Sequence, residues 1–322
     1  MSSAGPWADL ARPPLRATAL RTALEAPAGP LGRLVVEREL ASTSTALGER
    51  ARAEPHRWPD LSVLVAEHQT QGRGRRGRTF TTAPRSAVTA SVLLRTPAGS
   101  AAHLPWLPLL AGLAVVEELR RRAGLQAVLK WPNDVLVPPP PGPPGPGRAP
   151  GRERALDKVC GVLAEVLPPG GAGRGGGEGP VVVVGLGLNV DARADELPAA
   201  GATSLRLAGA ATTDRDVLLR ALLRRLAALY ARWRELGDVE DDAAAARALA
   251  ALTDPVREVC STLGEHVRVD LPGGRVLEGV AESLDASGAL VVGTPAGVRA
   301  VTAGDVVHLR PGTAGAAAGE PG

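Results

Sequence analysis

Four consecutive valines at 181–184 are the strongest constraint on the fold. β-branched side chains crowd a helical turn and pack well on a pleated surface. With no polar alternation, such a run needs cover on both faces. It predicts a buried central strand, which requires neighbouring strands. Residues 31–40, 61–67, 87–95, 128–131, 135–137 and 158–167 supply candidates. Helices are expected over 41–52, opened by hydroxyls that suit an N-cap, and over 104–122, stopped by Gly124. Two more are expected over 213–236 and 241–252. In the first of these, Leu218, Leu222, Leu226, Leu229 and Trp233 form an apolar stripe at helical spacing. The pattern is α+β, with a mixed sheet flanked by helices.

The ends read differently. Residues 1–30 are rich in Ala, Pro and Arg without a period, and read as a flexible extension. The Pro/Gly tract at 138–153 can form neither ladder nor helix, and reads as a disordered insertion. From residue 263 onward short strands recur at 266–271, 275–284, 289–292, 298–301 and 306–310. Turn signals separate them at Pro272-Gly273-Gly274 and Ala286-Ser287-Gly288. A small β-barrel is expected at 263–311, followed by a flexible tail at 312–322.

Hydrophobic residues make up 44% of the chain and aromatics only 2%, so the core must be aliphatic. The net charge of +3 is too small to imply nucleic acid without a clustered patch. Two cysteines, Cys160 and Cys260, make no disulfide framework and fit a reducing compartment. The five histidines show no metal-ligand spacing. The most apolar run, 104–116, holds Pro105 and Pro108 and is shorter than the roughly 20 residues a membrane helix needs. Nothing at the N-terminus resembles a secretory signal. A cytoplasmic enzyme or binding protein is the expectation.

Chemistry concentrates first in residues 72–78, Gly-Arg-Gly-Arg-Arg-Gly-Arg. Glycines let backbone N–H groups converge on an anion, and guanidinium forks match phosphate or carboxylate oxygens. A solvated basic loop or a nucleic-acid-binding segment would have the same composition. A compositional argument separates these readings. The chain has 37 Lys plus Arg, yet the only lysines are Lys130 and Lys158, and the only asparagines are Asn133 and Asn189. A lysine kept against so strong a bias marks a place where a compact point charge is needed and a planar fork will not serve. All four residues fall in three short motifs at strand ends, 130–134, 158–165 and 185–190, which favours one anion site. Gly185-Leu186-Gly187 is a poor dinucleotide fingerprint, lacking the third glycine and a following helix. Its glycines instead permit close approach of a ligand or backbone.

The order and content of these pieces resemble biotin protein ligase. Gly-Arg-Gly-Arg-Arg-Gly-Arg, Lys-Trp-Pro-Asn-Asp, Lys-x-x-Gly-Val-Leu-x-Glu and Gly-x-Gly-x-Asn-Val occur in that family in this order, over residues 31–310 here. The resemblance implies the class II aminoacyl-tRNA synthetase-like, biotin–lipoate ligase fold at 31–262 and an SH3-like domain at 263–311. It implies activation of biotin by ATP to biotinyl-5′-AMP, then transfer to a lysine of the biotin carboxyl carrier domain of acyl-CoA carboxylases. Lys158, Arg73 and Arg75 would be catalytic. Ser42, Thr43, Gln69, Gly72, Arg73, Arg75, Lys158, Gly161, Gly185 and Gly187 would hold biotin. Arg73, Arg75, Arg76, Arg78, Lys130, Trp131, Asn133, Asp134, Lys158, Asn189 and Arg310 would hold ATP, with Asp134 also a candidate ligand of Mg²⁺. Ser44 stands where the family usually has Asn, and Cys160 replaces a small residue. Some members carry an N-terminal winged helix-turn-helix. The residues before 31 are too few for one, so a ligase without specific DNA binding or repressor function is expected. Edge-strand pairing, with a second subunit in a homodimer or with the carrier, is implied and left open. Two alternatives stand beside this reading: a lipoate or octanoate ligase or transferase of the same fold, and a nucleic-acid-binding module built on the arginine loop.

Overall fold

The four valines lie within β9 (Glu178–Asn189) at the centre of a seven-stranded sheet. The structure is a computed structural model describing residues 12–77, 79–140, 156–168, 178–197, 201–238, 242–302 and 304–308. The sheet comprises β1 (Arg33–Glu37), β2 (Ser62–Ala66), β5 (Ala87–Pro97), β9, β8 (Asp157–Val166), β7 (Asp134–Val137) and β6 (Val128–Lys130), in that spatial order. β1 and β2 run parallel and every other pair antiparallel, so the sheet is mixed as expected. Two short strands, β3 (Gly72–Arg73) and β4 (Thr79–Phe80), pair with each other outside it.

Alternation gives the sheet two unlike faces. Val88, Ala90, Val92 and Leu94 of β5 and Val182, Val184, Leu186 and Leu188 of β9 point into the main core. There they meet α3 (Trp106–Glu118) and α4 (Arg215–Arg234), with α5 (Asp242–Val259) packed on α3. The expected stripe of α4 is buried throughout, and Asp214 caps the helix by accepting from the Asp216 and Val217 amides. Each large aliphatic side chain so placed contributes roughly 1.5–3 kcal/mol. On the other face α2 (Thr43–Ala53) lays Leu47 and Ala51, with Trp58, on Leu64, Leu93 and Val183. This helix covers one end of the face and leaves the other for small residues.

The structure corrects two expectations. Residues 12–30 are not a loose extension: α1 (Ala17–Leu24) forms there, and Leu15, Leu20 and Leu24 join the core. The segment is also tied by charge. Arg12 donates to Asp191 Oδ2 at 3.2 Å and to Glu196 Oε1 at 2.9 Å, and it is only 4% exposed. That pairing raises the Arg12 pKa and lowers that of Glu196. Removing one partner of so buried a pair costs about 3–5 kcal/mol. Composition hides such order, because the partners lie far away in sequence.

The second correction is the barrel. β10 (His266–Asp270), β11 (Val276–Leu284), β12 (Leu290–Thr294), β13 (Gly297–Val301) and β14 (Asp305–His308) form an open antiparallel sheet in the order β13-β12-β11-β10-β14. Among the described residues β13 and β14 stay at opposite edges, because four-residue β14 pairs along β10. The sheet docks through its 286–288 turn: Trp106 Nε1 donates to Ala286 O at 2.8 Å and Trp131 Nε1 to Gly288 O at 3.2 Å. Gly288 has φ +82°, and a Cβ there would meet the Trp106 ring at 3.4 Å, so the turn requires glycine. The tract at 141–155, the tail, Arg78 and Arg310 lie outside the described residues.

Candidate active site

The uncovered end of the second face is a floor of small residues. Pairing across five strands aligns Ala66, Thr89, Gly187, Gly161 and Asp134 in one row. The next row runs Leu64, Ser91, Gly185 and Leu163. Each glycine leaves room for a different neighbour. A Cβ on Gly185 would lie 2.6 Å from Ser44 Oγ, one on Gly187 2.7 Å from the Phe80 ring, and one on Gly161 3.2 Å from Lys158 Nζ.

At the α2 end of the floor the hydroxyls form a relay. Ser91 Oγ donates to Thr43 Oγ1 at 2.8 Å, and Thr43 Oγ1 to Gln69 Oε1 at 3.1 Å. Ser91 has one proton and spends it on Thr43, so Ser44 is the donor in the 2.9 Å Ser44–Ser91 bond. The Thr43 amide also donates to Gln69 Oε1, at 2.9 Å. Gln69 thus keeps its amide N–H groups, and Ser44 its lone pairs, for a ligand. Ser42 caps α2, its Oγ accepting from Thr45 N at 3.4 Å. Capping uses this one hydroxyl, while those of Thr43 and Ser44 face the floor.

At the opposite end Lys158 Nζ lies 2.6 Å from Asp134 Oδ1. That oxygen is sealed from solvent and receives no aligned hydrogen bond, so the ammonium answers it as a charge. A bulge in the pairing of β7 with β8 puts Lys158 on the same side as Gly161. Asn133 is stapled to β8: its Nδ2 donates to Val162 O at 2.8 Å, and Val162 N donates to Asn133 O at 2.9 Å. Its Oδ1 accepts from Arg75 Nη1 at 3.4 Å, which joins the arginine loop to this turn.

The loop itself is a ribbon with a 3-10 turn, Arg75–Gly77, between β3 and β4. With Leu163 and Glu165 of β8 it encloses a cleft of about 540 Å³ lined by Arg73 and Arg75. That volume suits a small organic ligand.

Several expected residues have other work. Trp131, expected to contact ATP, is only 2% exposed and faces the C-terminal turn, with its amide on Thr262 Oγ1 at 3.0 Å. It anchors the 130–134 turn from behind. Asn189 is buried, with its side-chain nitrogen on Thr203 O at 3.0 Å. Burial pushes the Cys160 thiol up to about 12, which leaves it protonated and inert. Lys130, in the strand before the turn, lies near enough to His308 for its charge to lower that pKa. Two residues of the site escaped the sequence reading, Ser91 and Phe80, while Glu165 closes the Lys158 motif but was given no role. Ser91 carries no local signal. Phe80 does, since it is the chain's one phenylalanine, and rarity had already marked the lysines and asparagines.

No group of three or more His, Cys, Asp or Glu poised for a metal occurs among the described residues. Asp134 Oδ1 faces the ammonium, which leaves Oδ2 as the oxygen that magnesium carried by ATP could reach. One carboxylate plus phosphates is a usual way to hold that ion.

Sheet, floor and loop together define a ligase of the class that acts on biotin or lipoate: residues 37–189 match the Biotin/lipoate A/B protein ligase family, and residues 262–309 match the Biotin protein ligase C terminal domain. The sequence is 36% identical over 308 residues to the biotin–[acetyl-CoA-carboxylase] ligase of Mycobacterium tuberculosis, covering 94% of this chain and 98% of that one. The ligase of the same name from Paracoccus denitrificans is 30% identical over 276 residues, 83% of this chain and 98% of that one. Among solved structures, the biotin protein ligase from Aquifex aeolicus in complex with biotin and ATP gives a TM-score of 0.62 at 25% identity, covering 87% of this chain and 99% of that one. The chain belongs to the biotin protein ligase family.

Proposed function

We propose that the protein activates biotin with ATP to biotinyl-5′-AMP and passes the biotinyl group to a lysine of a biotin carboxyl carrier domain. The observation that carries this is Lys158 Nζ, 2.6 Å from Asp134 and beside Gly161 on the glycine floor, facing the side of the arginine loop. In the first step a carboxylate oxygen attacks the α-phosphorus, the α–β bridge breaks and pyrophosphate leaves. Two anions must meet, so the barrier is largely electrostatic. Lys158 lowers it as a fixed point charge between them, and Arg73 and Arg75 approach from above. Gly161, Gly185 and Gly187 keep the floor low, so that Lys158, Ser44 and Phe80 can lie over it and face the ligand. Gln69 and the hydroxyl relay offer donors and acceptors to a ureido ring, and Gly72 keeps the loop close to them.

The loop acts as a lid that closes over biotin and ATP and excludes water from the mixed anhydride. Asn133 and Asp134, on the turn at the Lys158 end of the floor, frame the nucleotide. Asp134 would hold the magnesium that ATP brings. In the second step the carrier lysine's neutral amine attacks the acyl carbon and AMP departs. The amine proton passes to solvent. β1, at the outer edge of the sheet, offers an edge for the carrier or a second subunit. No helix among the described residues is long and apolar enough to cross a membrane, and the reading places the reaction in the cytoplasm.

Purified protein should exchange pyrophosphate into ATP only when biotin is present. Exchange without biotin, or driven by lipoate or octanoate, removes the biotin assignment.

A further inference from the structure

The two feet of the arginine loop meet the N-terminal segment. Glu67 precedes Gly72 by five positions, and Arg85 follows Phe80 by five. At the first foot, Glu67 Oε1 accepts from Leu15 N and Oε2 from Arg215 Nη1, both at 2.6 Å. Arg215 also donates to Pro13 O, at 2.6 Å. At the second foot, Arg85 Nη1 donates to Arg12 O at 3.4 Å, and Arg85 N donates to Glu67 O at 2.7 Å, which joins the feet to each other. The next residue, Ser86, accepts from the amides of Val190 and Asp191 at 3.0 and 2.7 Å. Asp191 in turn is the carboxylate that Arg12 and Arg206 hold. The charged side chains of Arg12, Glu67 and Arg215 are all less than 9% exposed.

This is more than a tail fastened to a core. Residues 12–15 touch Glu67 just after β2, Arg85 just before β5, and Asp191 just past β9, whose glycines form the floor under the loop.

We infer that residues 12–15 are a strap that sets the loop's position over the floor, with Arg12 and Glu67 as positioning residues. The inference rests on the reading of the loop as a lid. Arg12 and Glu67 touch no reacting atom. They fix where the feet of the ribbon stand, and so how well Arg73 and Arg75 reach a bound anion. Loosening the strap weakens the closed, liganded state more than it slows chemistry within it, and the loss falls on KM rather than kcat.

The test uses the full chain. Biotin-dependent ATP–pyrophosphate exchange gives KM and kcat, and trypsin cutting within 72–78 is followed with and without biotin plus ATP. For Arg12→Ala, KM for biotin and ATP should rise by about tenfold with kcat within about twofold. Ligand should fail to protect the loop, and Arg12→Lys should recover part of both. If Arg12→Ala does not melt cooperatively, Glu67→Gln takes its place, since it keeps an acceptor for Leu15 N and loses the charge facing Arg215. A folded variant with unchanged KM and full ligand protection overturns the strap and leaves the lid intact. If ligand fails to protect the unaltered protein while it still exchanges pyrophosphate, the lid is wrong and the strap falls with it.

Discussion

Two parts of the site supply positive charge, and they are built in opposite ways. Lys158 stands on a long central strand, its ammonium held 2.6 Å from Asp134, while the neighbouring turn is nailed down from behind by Trp131. The arginine loop stands on two-residue strands and glycines, fastened at its feet. One charge is set before any ligand arrives. The others stand on a glycine-rich ribbon with only two residue pairs in its ladder. In the proposed adenylation the charge between the two reacting anions has to stay in place, while those over the phosphates have to let substrate in and product out.

The largest expected effect tests the fixed side. Lys158→Arg keeps the charge and spreads it over a planar fork that cannot occupy the same point. Adenylation should fall on the order of 10²–10³-fold with little change in Tm. Unchanged turnover would erase the distinction between the two kinds of charge. On the adaptable side, Gly72→Ala puts a Cβ 2.1 Å from Phe80 O and 2.2 Å from Gln69 Nε2. The carbonyl is backbone and cannot step aside, so the ribbon must shift. A loss of roughly 10²-fold in kcat/KM is expected, since an ångström of misplacement costs about that much. A smaller loss than for Lys158→Arg sharpens the comparison, and a larger one reverses it.

The smallest effect concerns the anchor behind the turn. Burial, and then the charge of Lys130, hold His308 below its ordinary pKa of 6.5, with Glu265 opposing. Its ring accompanies Thr262 Oγ1 at 3.3 Å, the hydroxyl that receives the Trp131 amide. The unfolded chain therefore takes up the proton first as pH falls. Stability is full above about pH 7 and is lost as pH drops through 6.5 toward the folded value. His308→Gln should flatten that decline, with a Tm change on the order of 2–4 °C between pH 7 and pH 5 followed by thermal melts. An unchanged profile would free the anchor from any titrating group.

What could be read from the chain follows the range of each interaction. The valine run gave the central strand because β-branching and the lack of alternation are local. The α4 stripe is likewise local, and the rarity of Lys and Asn marked Lys158 and Asn133 without any contact being known. The order of residues 12–30 was hidden because Arg12 finds Asp191 and Glu196 only in three dimensions, and Leu20 with Leu24 make too short a stripe to notice. Barrel closure was over-read: turn signals count strands but do not say whether the first and last meet. Ser91 sits in an expected strand with nothing local to mark it, and only pairing sets it beside Gly185. The glycines were expected to admit a ligand. The structure shows instead that Ser44 and Phe80 take the space over Gly185 and Gly187.

The docking of the C-terminal sheet has an optical consequence. Of the five tryptophans in the chain, Trp106 and Trp131 both give their indole N–H to carbonyls of the one 286–288 turn, and both are almost wholly enclosed. With one tyrosine and one phenylalanine as the only other aromatics, two of the five indoles report on this single seam. The intrinsic fluorescence of the protein is therefore a built-in gauge of whether its two sheets are together.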